Sequence, residues 1–295
     1  MIERIDRRLL SASVGIAALL GNLLVPVAEA FPHDEHDVAR AGRQAAVVKI
    51  GGHAFKGTAA ATASTVRQGG HHANGGTPAN GKEVIGCTSS PGATINSGNS
   101  GDRRVALTFD DGPSVKYTPK ILHILKHFGI HATFFEEGKH VHGRDSLMAD
   151  ILASGDEIGN HSYHHPEYPG YGELASTNRK IEQATGFKPC LFRPPYGLVD
   201  GSVTSAARRT GLEIVQWSLD SLDDKHPGVG AIESNVLSQA QPGSIILMHD
   251  GGHHPQTVRA LPGIIRGLED RGFGFTTVTE LTGGHFIYAG ENDHK

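Results

Sequence analysis

The stretch VALTFDDGP, residues 105–113, joins an apolar run to two adjacent carboxylates. The run over residues 105–109 is typical of a buried strand, and Gly112-Pro113 is typical of a turn. Asp110 and Asp111 therefore lie where a core strand is predicted to end. Aspartates also favour turns for purely structural reasons, so the pair alone does not identify a functional site.

After this stretch, strand and helix patterns alternate about seven times. The predicted strands are RRVALTF (103–109), HATFF (131–135), EIGNH (157–161), CLF (190–192), LEIVQWSL (212–219), SIILM (244–248) and FGFTTV (273–278). The predicted helices cover 118–128, 147–152, about 172–184, 202–209, 232–237 and 256–271, with Ser202 as an N-cap and a kink at Pro262. This alternation predicts an α/β fold with a parallel sheet, either open or closed into a barrel. In such folds the reactive residues lie at the carboxyl ends of the strands.

Titratable side chains follow five of the predicted strands. They are Asp110, Asp111, His161, Arg193, Asp220, Asp223, His249 and Asp250. In the run HSYHH, His161 and His165 are expected to share one face of a helical turn, where both can bind one metal ion. Asp111 would complete a two-histidine, one-carboxylate set, although a surface run of histidines explains the same residues.

Two further groups at these strand ends suit acid–base chemistry. Asp110, beside a metal-bound Asp111, can act as the base for a water on the cation, because a metal lowers the pKa of its water toward about 7. Arg193 precedes two prolines, which fix the chain direction, and its guanidinium can hold a carboxylate in a two-pronged hydrogen bond. A simple rigid turn is the alternative reading of this segment.

The histidine at the end of the SIILM strand is a candidate acid. His249 can donate a proton if a carboxylate keeps it protonated, and Asp223 and Asp250 are the two candidates for that carboxylate. A structural histidine is the alternative. We expect the nearby His253 and His254 to lie in an exposed loop.

Five short motifs occur in order over about residues 101–282. They are T-F-D-D-G-P, H-S-x-x-H, R-P-P-Y-G, W-S-x-D-S-x-D and L-M-H-D. In this order they closely resemble the motifs of the polysaccharide deacetylases, which form carbohydrate esterase family four and share the nodulation-deacetylase homology domain. The resemblance implies a distorted (β/α)7 barrel that binds one divalent metal ion, usually Zn²⁺, with Co²⁺ or Ni²⁺ as alternatives.

The resemblance also implies a role for each motif residue. Asp111, His161 and His165 would bind the metal. Asp110 would be the general base with Arg193 as its orienting partner, and His249 would be the general acid tuned by Asp223. The backbone N–H of Tyr196 would stabilise the oxyanion, and Leu247 would line the acetyl pocket. The family usually has tryptophan after the second aspartate of the fourth motif, where this chain has Asp224. We do not expect Trp217 to take that place, so an aromatic wall of the substrate groove is either missing or supplied from elsewhere.

The sequence predicts four segments. Residues 1–30 match an export signal with paired arginines, an apolar stretch and an Ala28-Glu29-Ala30 cleavage box, with an uncleaved anchor as the alternative. Residues 31–84 read as a flexible Gly/Ala/Thr/His-rich linker, 85–285 as the catalytic domain and 286–295 as a tail. Export implies a secreted or cell-envelope protein in an oxidising compartment, where Cys87 and Cys190 are either bridged or two separate buried thiols.

The leading hypothesis is a metal-dependent hydrolase that removes N-acetyl groups from an N-acetylglucosamine polysaccharide, peptidoglycan or chitin-like, by attack of metal-bound water. The chain has 27 Lys and Arg against 31 Asp and Glu, a net charge of −4, which gives no basic surface for nucleic acid. We expect a monomer with a polysaccharide partner and no stable membrane insertion once the signal is cleaved. The alternatives are an O-deacetylase such as an acetylxylan esterase, a non-catalytic glycan-binding protein on the same scaffold, and a two-histidine, one-carboxylate iron oxygenase.

Overall fold

The computed structural model describes residues 83–99, 101 and 103–290. The predicted export signal (1–30) and nearly all of the predicted linker (31–84) lie outside these residues. Within the described part of the chain, none of the helices combines the length and the apolar composition that crossing a membrane requires.

Strands and helices alternate along most of the described chain. The strands are β1 (Val84–Cys87), β2 (Thr94–Ile95), β3 (Arg104–Gly112), β4 (Thr133–Glu136), β5 (Glu157–Asn160), β6 (Leu191–Phe192), β7 (Glu213–Val215), β8 (Leu219–Asp220), β9 (Ile245–His249), β10 (Gly274–Phe275) and β11 (Phe286–Tyr288). The helices are α1 (Thr118–Phe128), α2 (Gly138–Val141), α3 (Asp145–Ala153), α4 (Tyr171–Thr185), α5 (Gly201–Thr210), α6 (Val229–Gln239), α7 (Pro255–Asp270) and α8 (Val278–Leu281).

Eight strands form one parallel sheet in the order β2-β7-β6-β5-β4-β3-β9-β8, and β10 pairs with the start of β3. The sheet curls into a half-barrel, so the predicted α/β barrel class is confirmed. The central strand β3 is apolar along most of its length because both of its faces are covered: Val105, Leu107 and Phe109 have no exposed surface. Since neighbouring strands are parallel, their carboxyl ends lie at one edge of the sheet.

The helices cover the outside of this sheet with apolar stripes. In α7 the buried side chains recur three and four residues apart, as in Ala260, Ile264 and Leu268, so one face packs on the core. Helix α1 ends where the sequence predicts, at Gly129, whose φ of 66° is accessible to glycine at little cost.

Two local predictions were wrong. The segment LEIVQWSL is not one strand but two, β7 and β8. The ladder breaks after Val215 because the buried guanidinium of Arg193 donates to the backbone oxygens of Val215 and Gln216, at 3.4 and 3.2 Å. Helix α5 is capped by Asp200 rather than Ser202, since the Asp200 carboxylate accepts hydrogen bonds from the first-turn backbone N–H groups.

The two ends of the described chain meet in a small sheet that the sequence analysis missed. Strand β11 pairs antiparallel with β1, and Phe286 and Tyr288 pack against the core. The predicted tail (286–295) therefore includes three residues of the fold, and the predicted linker (31–84) overlaps the first residue of β1.

A disulfide bond joins Cys87, at the end of β1, to Cys190, directly before β6. The Cα atoms are 5.6 Å apart, and the bond closes a loop of 103 residues. Of the two alternatives left open by the sequence, the structure contains the bridge. It connects the start of the domain to the middle of the sheet.

We predict that removing this bridge lowers the free energy of unfolding by about 2–4 kcal/mol, because a long closed loop restricts the unfolded chain. The measurement is urea unfolding of the wild type and of the double variant Cys87→Ser/Cys190→Ser, with mass spectrometry after alkylation to count free thiols. Two alkylated thiols in the unreduced wild type, or identical unfolding midpoints, would contradict the prediction.

Candidate active site

A cleft of about 360 Å³ lies at the carboxyl ends of β3, β8 and β9. Seven of the nine predicted site residues line it: Asp110, Asp111, His161, His165, Tyr196, Leu247 and His249. The remaining two, Arg193 and Asp223, have no exposed surface and contact cleft residues from behind. The structure thus brings the predicted set together from five separate stretches of sequence.

Asp111, His161 and His165 form the first cluster. Asp111 Oδ1 lies 3.3 Å from His161 Nε2 and 3.4 Å from His165 Nε2, and it is buried without a hydrogen-bond partner. His161 Nδ1 is 2.7 Å from the backbone oxygen of Arg193, so an N–H there leaves the Nε2 lone pair directed at Asp111. One carboxylate and two imidazoles suit Zn²⁺ and related divalent cations, and an orphaned carboxylate oxygen facing two imidazole nitrogens fits a bound cation.

The two histidines are not on a helical turn, so that part of the prediction was wrong. Residues 161–165 form a loop, and Ser162 and His165 have φ of 64°. Asn160, at the end of β5, accepts from the Ser162 N–H at 2.8 Å, and Ser162 Oγ accepts from the His165 N–H at 3.1 Å. These two turns bring His165 back beside His161, where their ring centroids are 4.9 Å apart.

Asp110 is held by the buried Arg193. The guanidinium Nη1 donates to Asp110 Oδ1 at 2.8 Å and to Thr108 Oγ1 at 2.7 Å. Burial lowers the pKa of Arg193, and the charge of Asp110 opposes that change. The pair fixes the Asp110 carboxylate beside the Asp111–His161–His165 cluster, with His161 Nε2 3.8 Å from its other oxygen.

His249 lies at the end of β9 and is held by Asp223. His249 Nδ1 is 2.8 Å from Asp223 Oδ1, and the other Asp223 oxygen accepts from the His249 N–H and the Thr257 hydroxyl. Asp250, the second candidate for this role, instead accepts from Thr118. Asp110 and His249 are partners in the β3–β9 register, so the two groups stand at the same level on neighbouring strands.

The electrostatics of the cleft favour a protonated His249. Burial opposes protonation, but the hydrogen bond to Asp223 and the negative charges of Asp223, Asp110 and Asp111 raise the pKa of His249 to about 9. Burial also opposes the charge on Asp223, but the contact with His249 outweighs it and lowers the pKa of Asp223. The arrangement is therefore an imidazolium–carboxylate pair at neutral pH.

The remaining predicted positions form the walls of the cleft. Leu247 is nearly buried, and Tyr196 is 64% exposed with its ring edge-on to His165 at 4.6 Å. Asp224 lines the rim and forms an ion pair with Lys225 at 2.6 Å. Trp217 also lines the cleft, so Trp217 and Tyr196 supply aromatic surface that Asp224 does not.

Several residues around the cleft were missed or misplaced by the sequence analysis. His254 was expected to be exposed, but it is half-buried, lines the cleft and stacks on His249 with ring centroids 5.1 Å apart. The loop turns back there because the Gly251 N–H donates to the Asp110 backbone oxygen. Two further residues, Asn160 and Thr257, could not have been identified from the sequence. Asn160 is simply a polar residue at the end of β5, and Thr257 a polar residue in the first turn of α7.

The fold and the cleft define a parallel α/β barrel protein with a two-histidine, one-carboxylate cluster between a held carboxylate and a held imidazole. The family model for polysaccharide deacetylase matches residues 97–215. A chitooligosaccharide deacetylase of Sinorhizobium fredii is 36% identical over 198 residues, which are 61% of this chain and 92% of that protein. The chain belongs to the polysaccharide deacetylase family, carbohydrate esterase family 4.

This chain spans less than half the length of another curated relative. A peptidoglycan-N-acetylglucosamine deacetylase, PgdA, of Listeria monocytogenes is 38% identical over 188 residues, which are 62% of this chain but 39% of that protein. Among solved structures, the Bc1960 peptidoglycan N-acetylglucosamine deacetylase matches with a TM-score of 0.62 and 35% identity, covering 65% of this chain and 92% of that one. A Bacillus anthracis protein described as a pseudoenzyme of the family matches with a TM-score of 0.61 and 34% identity, covering 65% and 69%. Family membership therefore does not by itself establish activity, which has to be argued from the site.

We predict that Asp223→Asn brings the pKa of His249 from about 9 back toward the ordinary value of 6.5, because the variant removes the closest negative charge. The measurement is an NMR titration of the His249 ring in metal-free protein, assigned with His249→Gln and compared with Asp150→Asn on the exposed face of α3. In the wild type, protonated His249 stabilises the fold below about pH 6.5, and this contribution is lost as the pH rises through about 9. An unchanged pKa in Asp223→Asn would show that Asp223 does not hold the proton on His249.

Proposed function

We propose that this protein removes N-acetyl groups from a polysaccharide that contains N-acetylglucosamine, such as peptidoglycan or a chitin-like chain, and releases acetate. One observation carries the proposal: a held carboxylate, Asp110, and a held imidazole, His249, stand at the same level on adjacent strands beside the Asp111–His161–His165 cluster. The substrate class follows the named activities of the relatives in Listeria and Sinorhizobium.

Asp111, His161 and His165 would hold the metal ion, with Zn²⁺ as the first expectation and Co²⁺ or Ni²⁺ as alternatives. When bound, a divalent cation supplies Lewis-acid activation of water and of the acetyl carbonyl. The cluster leaves coordination positions open, because three protein ligands are one fewer than a closed structural zinc site has.

The chain's own groups move the protons. Asp110 accepts a proton from the water whose oxygen bonds to the carbonyl carbon, and the ion pair with Arg193 keeps Asp110 oriented. His249 gives its proton to the sugar nitrogen as the carbon–nitrogen bond breaks, so that a free amine and acetate leave. The backbone N–H of Tyr196 would donate to the developing oxyanion, and Leu247 would contact the acetyl methyl; these two roles rest on the family resemblance.

The protonated His249 favours amide over ester substrates. An amine is a poor leaving group unless it is protonated, so a strongly held imidazolium contributes more to breaking an amide than an ester. Acetate release is therefore expected from chitooligosaccharides and peptidoglycan in preference to acetylated xylan. The rate should fall as the pH rises through the pKa of His249, because its deprotonated form cannot serve as the acid.

We also propose that the chain works outside the cytoplasm, as a secreted or cell-envelope monomer. The Cys87–Cys190 disulfide supports export, because such bonds persist mainly in oxidising compartments. The signal-like composition of residues 1–30 supports it independently.

The central test is an acetate-release screen over acetylated glycans, with and without a chelator. We expect release from N-acetylglucosamine polymers, loss of release on metal removal and recovery when Zn²⁺ is returned. Release from acetylated xylan alone would replace the proposal with an O-deacetylase, and glycan binding without release would indicate a binding protein. Full activity without metal would contradict the use of the cluster.

The two adjacent aspartates should fail in different ways. We predict that Asp110→Asn keeps its bound metal and lowers kcat by about 10²–10⁴, the range for loss of a general base, while Asp111→Asn loses the metal. Metal content per chain and kcat are measured on the same preparations, with Asp150→Asn as the matched control. Wild-type kcat in Asp110→Asn would show that Asp110 is not the base.

A further inference from the structure

A second group of imidazoles lies beside His249. The ring of His254 stacks on the ring of His249, with centroids 5.1 Å apart and an angle of 19° between the planes. The ring centroid of His226 is 5.5 Å from that of His254. Potential ligand atoms of Asp223, His249 and His254 are all within 4.8 Å of one another. None of these residues belongs to the Asp111–His161–His165 cluster.

His254 contains an unsatisfied polar atom. Its Nδ1 is buried and has no hydrogen-bond partner, which is costly for an imidazole nitrogen. Burial and the nearby charges of His249 and His226 lower the pKa of His254, so its ring stays neutral and keeps a lone pair. A metal ion that accepts this lone pair would satisfy the nitrogen.

The surroundings are suited to a cation rather than an anion. Asp220 ends β8, and Asp223 and Asp224 follow it before α6. Asp220 and Asp224 line the same cleft as His254. Imidazole nitrogens select zinc, copper or nickel over magnesium or calcium, which prefer oxygen ligands. The class of ligand is therefore a divalent transition-metal ion.

We propose that His249 and His254, with His226 beside them, form a second cation site that takes Zn²⁺ or a similar ion, and that its occupation withdraws His249 from proton donation. The inhibitory part rests on the proposed function, whereas the binding part does not. His249 would bind through Nε2 while Nδ1 keeps its hydrogen bond to Asp223, the carboxylate–histidine–metal arrangement common in zinc proteins. The proton that His249 carries is released to solvent as the ion binds.

Binding requires only a local movement. A tetrahedral zinc ion at about 2.0–2.1 Å from each nitrogen holds its ligands about 3.3 Å apart. The ring centroids of His249 and His254 are 5.1 Å apart and the rings are nearly parallel, so the His254 ring would turn toward the ion. His254 lies in the turn between β9 and α7, two residues after Gly252, so its ring can approach His249 without displacing a strand. The site would thus close when the ion binds.

The test compares zinc binding to metal-free, full-length wild type, His254→Gln and Asp111→Asn by calorimetric titration and by metal content per chain. His33, His36, His53, His71 and His72 contribute the same background to every variant, so only differences count. We expect His254→Gln to bind one zinc ion fewer than the wild type. It should keep the binding phase of the Asp111–His161–His165 cluster, which Asp111→Asn should lose. His226→Gln, an exposed substitution, should weaken the second phase about tenfold, and His123→Gln on the exposed face of α1 should bind as the wild type does.

Acetate release gives an independent readout. With excess Zn²⁺ the wild-type rate should fall by about 10² or more relative to one equivalent, the scale of losing a general acid, and in His254→Gln the ratio of the two rates should stay near one. Equal stoichiometry in wild type and His254→Gln, or equal inhibition of both, would overturn the second site. A chain that binds the second ion but releases acetate from no glycan would contradict the proposed function while supporting the cation site.

Discussion

The structure depends on a charged group placed inside the barrel, the guanidinium of Arg193. It has no exposed surface and lies 4.2 Å from the ring centroid of Phe135, so it would be strongly destabilising without partners. Its donors instead reach Asp110 and Thr108 on β3 and the backbone oxygens of Val215 and Gln216 at the end of β7. One side chain from the end of β6 therefore interrupts the β7 ladder, orients the candidate base and neutralises its charge. Removing one partner of a buried ion pair leaves the other charge buried without compensation, which is strongly destabilising. A substitution of Asp110 or of Arg193 therefore affects the other residue as well.

The same region packs more carboxylates than one cation can balance, and the structure distributes their charge unequally. Burial opposes ionisation of Asp111, but the contact with His161 lowers its pKa. Behind Gly112, burial and the charges of Asp111 and Asp110 raise the pKa of Asp250 to about 7. Burial and the charges of Asp250 and Asp110 raise the pKa of Glu136 well above its ordinary range. An ideal Cβ at Gly112 would lie within 2.6 Å of both carboxylates, so only glycine fits there. Negative charge is thus favoured on Asp111 in the cleft and disfavoured on the deeper Asp250 and Glu136.

The strands and the motif residues could be predicted from the sequence because both depend on local patterns. Short apolar runs end in polar residues, and because the strands are parallel, those ends lie at one edge of the sheet. The contacts that could not be read are long-range. Strand β11 pairs with β1 across about 200 residues. The loop that carries His254 is held near His249 by the hydrogen bond from the Gly251 N–H to the Asp110 backbone oxygen. The H-x-x-x-H spacing fits a helix and a double turn equally well. The turn forms here because Asn160 Oδ1 accepts a hydrogen bond from the Ser162 N–H. Pattern alone therefore locates the site, while tertiary hydrogen bonds fix its geometry.

Backbone strain marks the same place. Six described residues other than glycine have positive φ: Asp111, Ser162, His165, Tyr196, Leu222 and His226. All of them line the cleft or lie within two or three residues of its lining, and each such conformation costs about 1–3 kcal/mol. Their sum is comparable to the net stability of an ordinary domain, about 5–15 kcal/mol, so the cleft is a large destabilising contribution that the barrel core and the disulfide have to offset. Strain of this size persists only where surrounding contacts determine the backbone, which is what the Asn160–Ser162 turn, the β3–β9 ladder and the hydrogen bond from Gln216 to Gly197 provide. The stability of the scaffold and the geometry of the site are therefore opposed locally, and the strained cleft residues keep their conformations because the hydrogen-bonded sheet behind them holds the backbone.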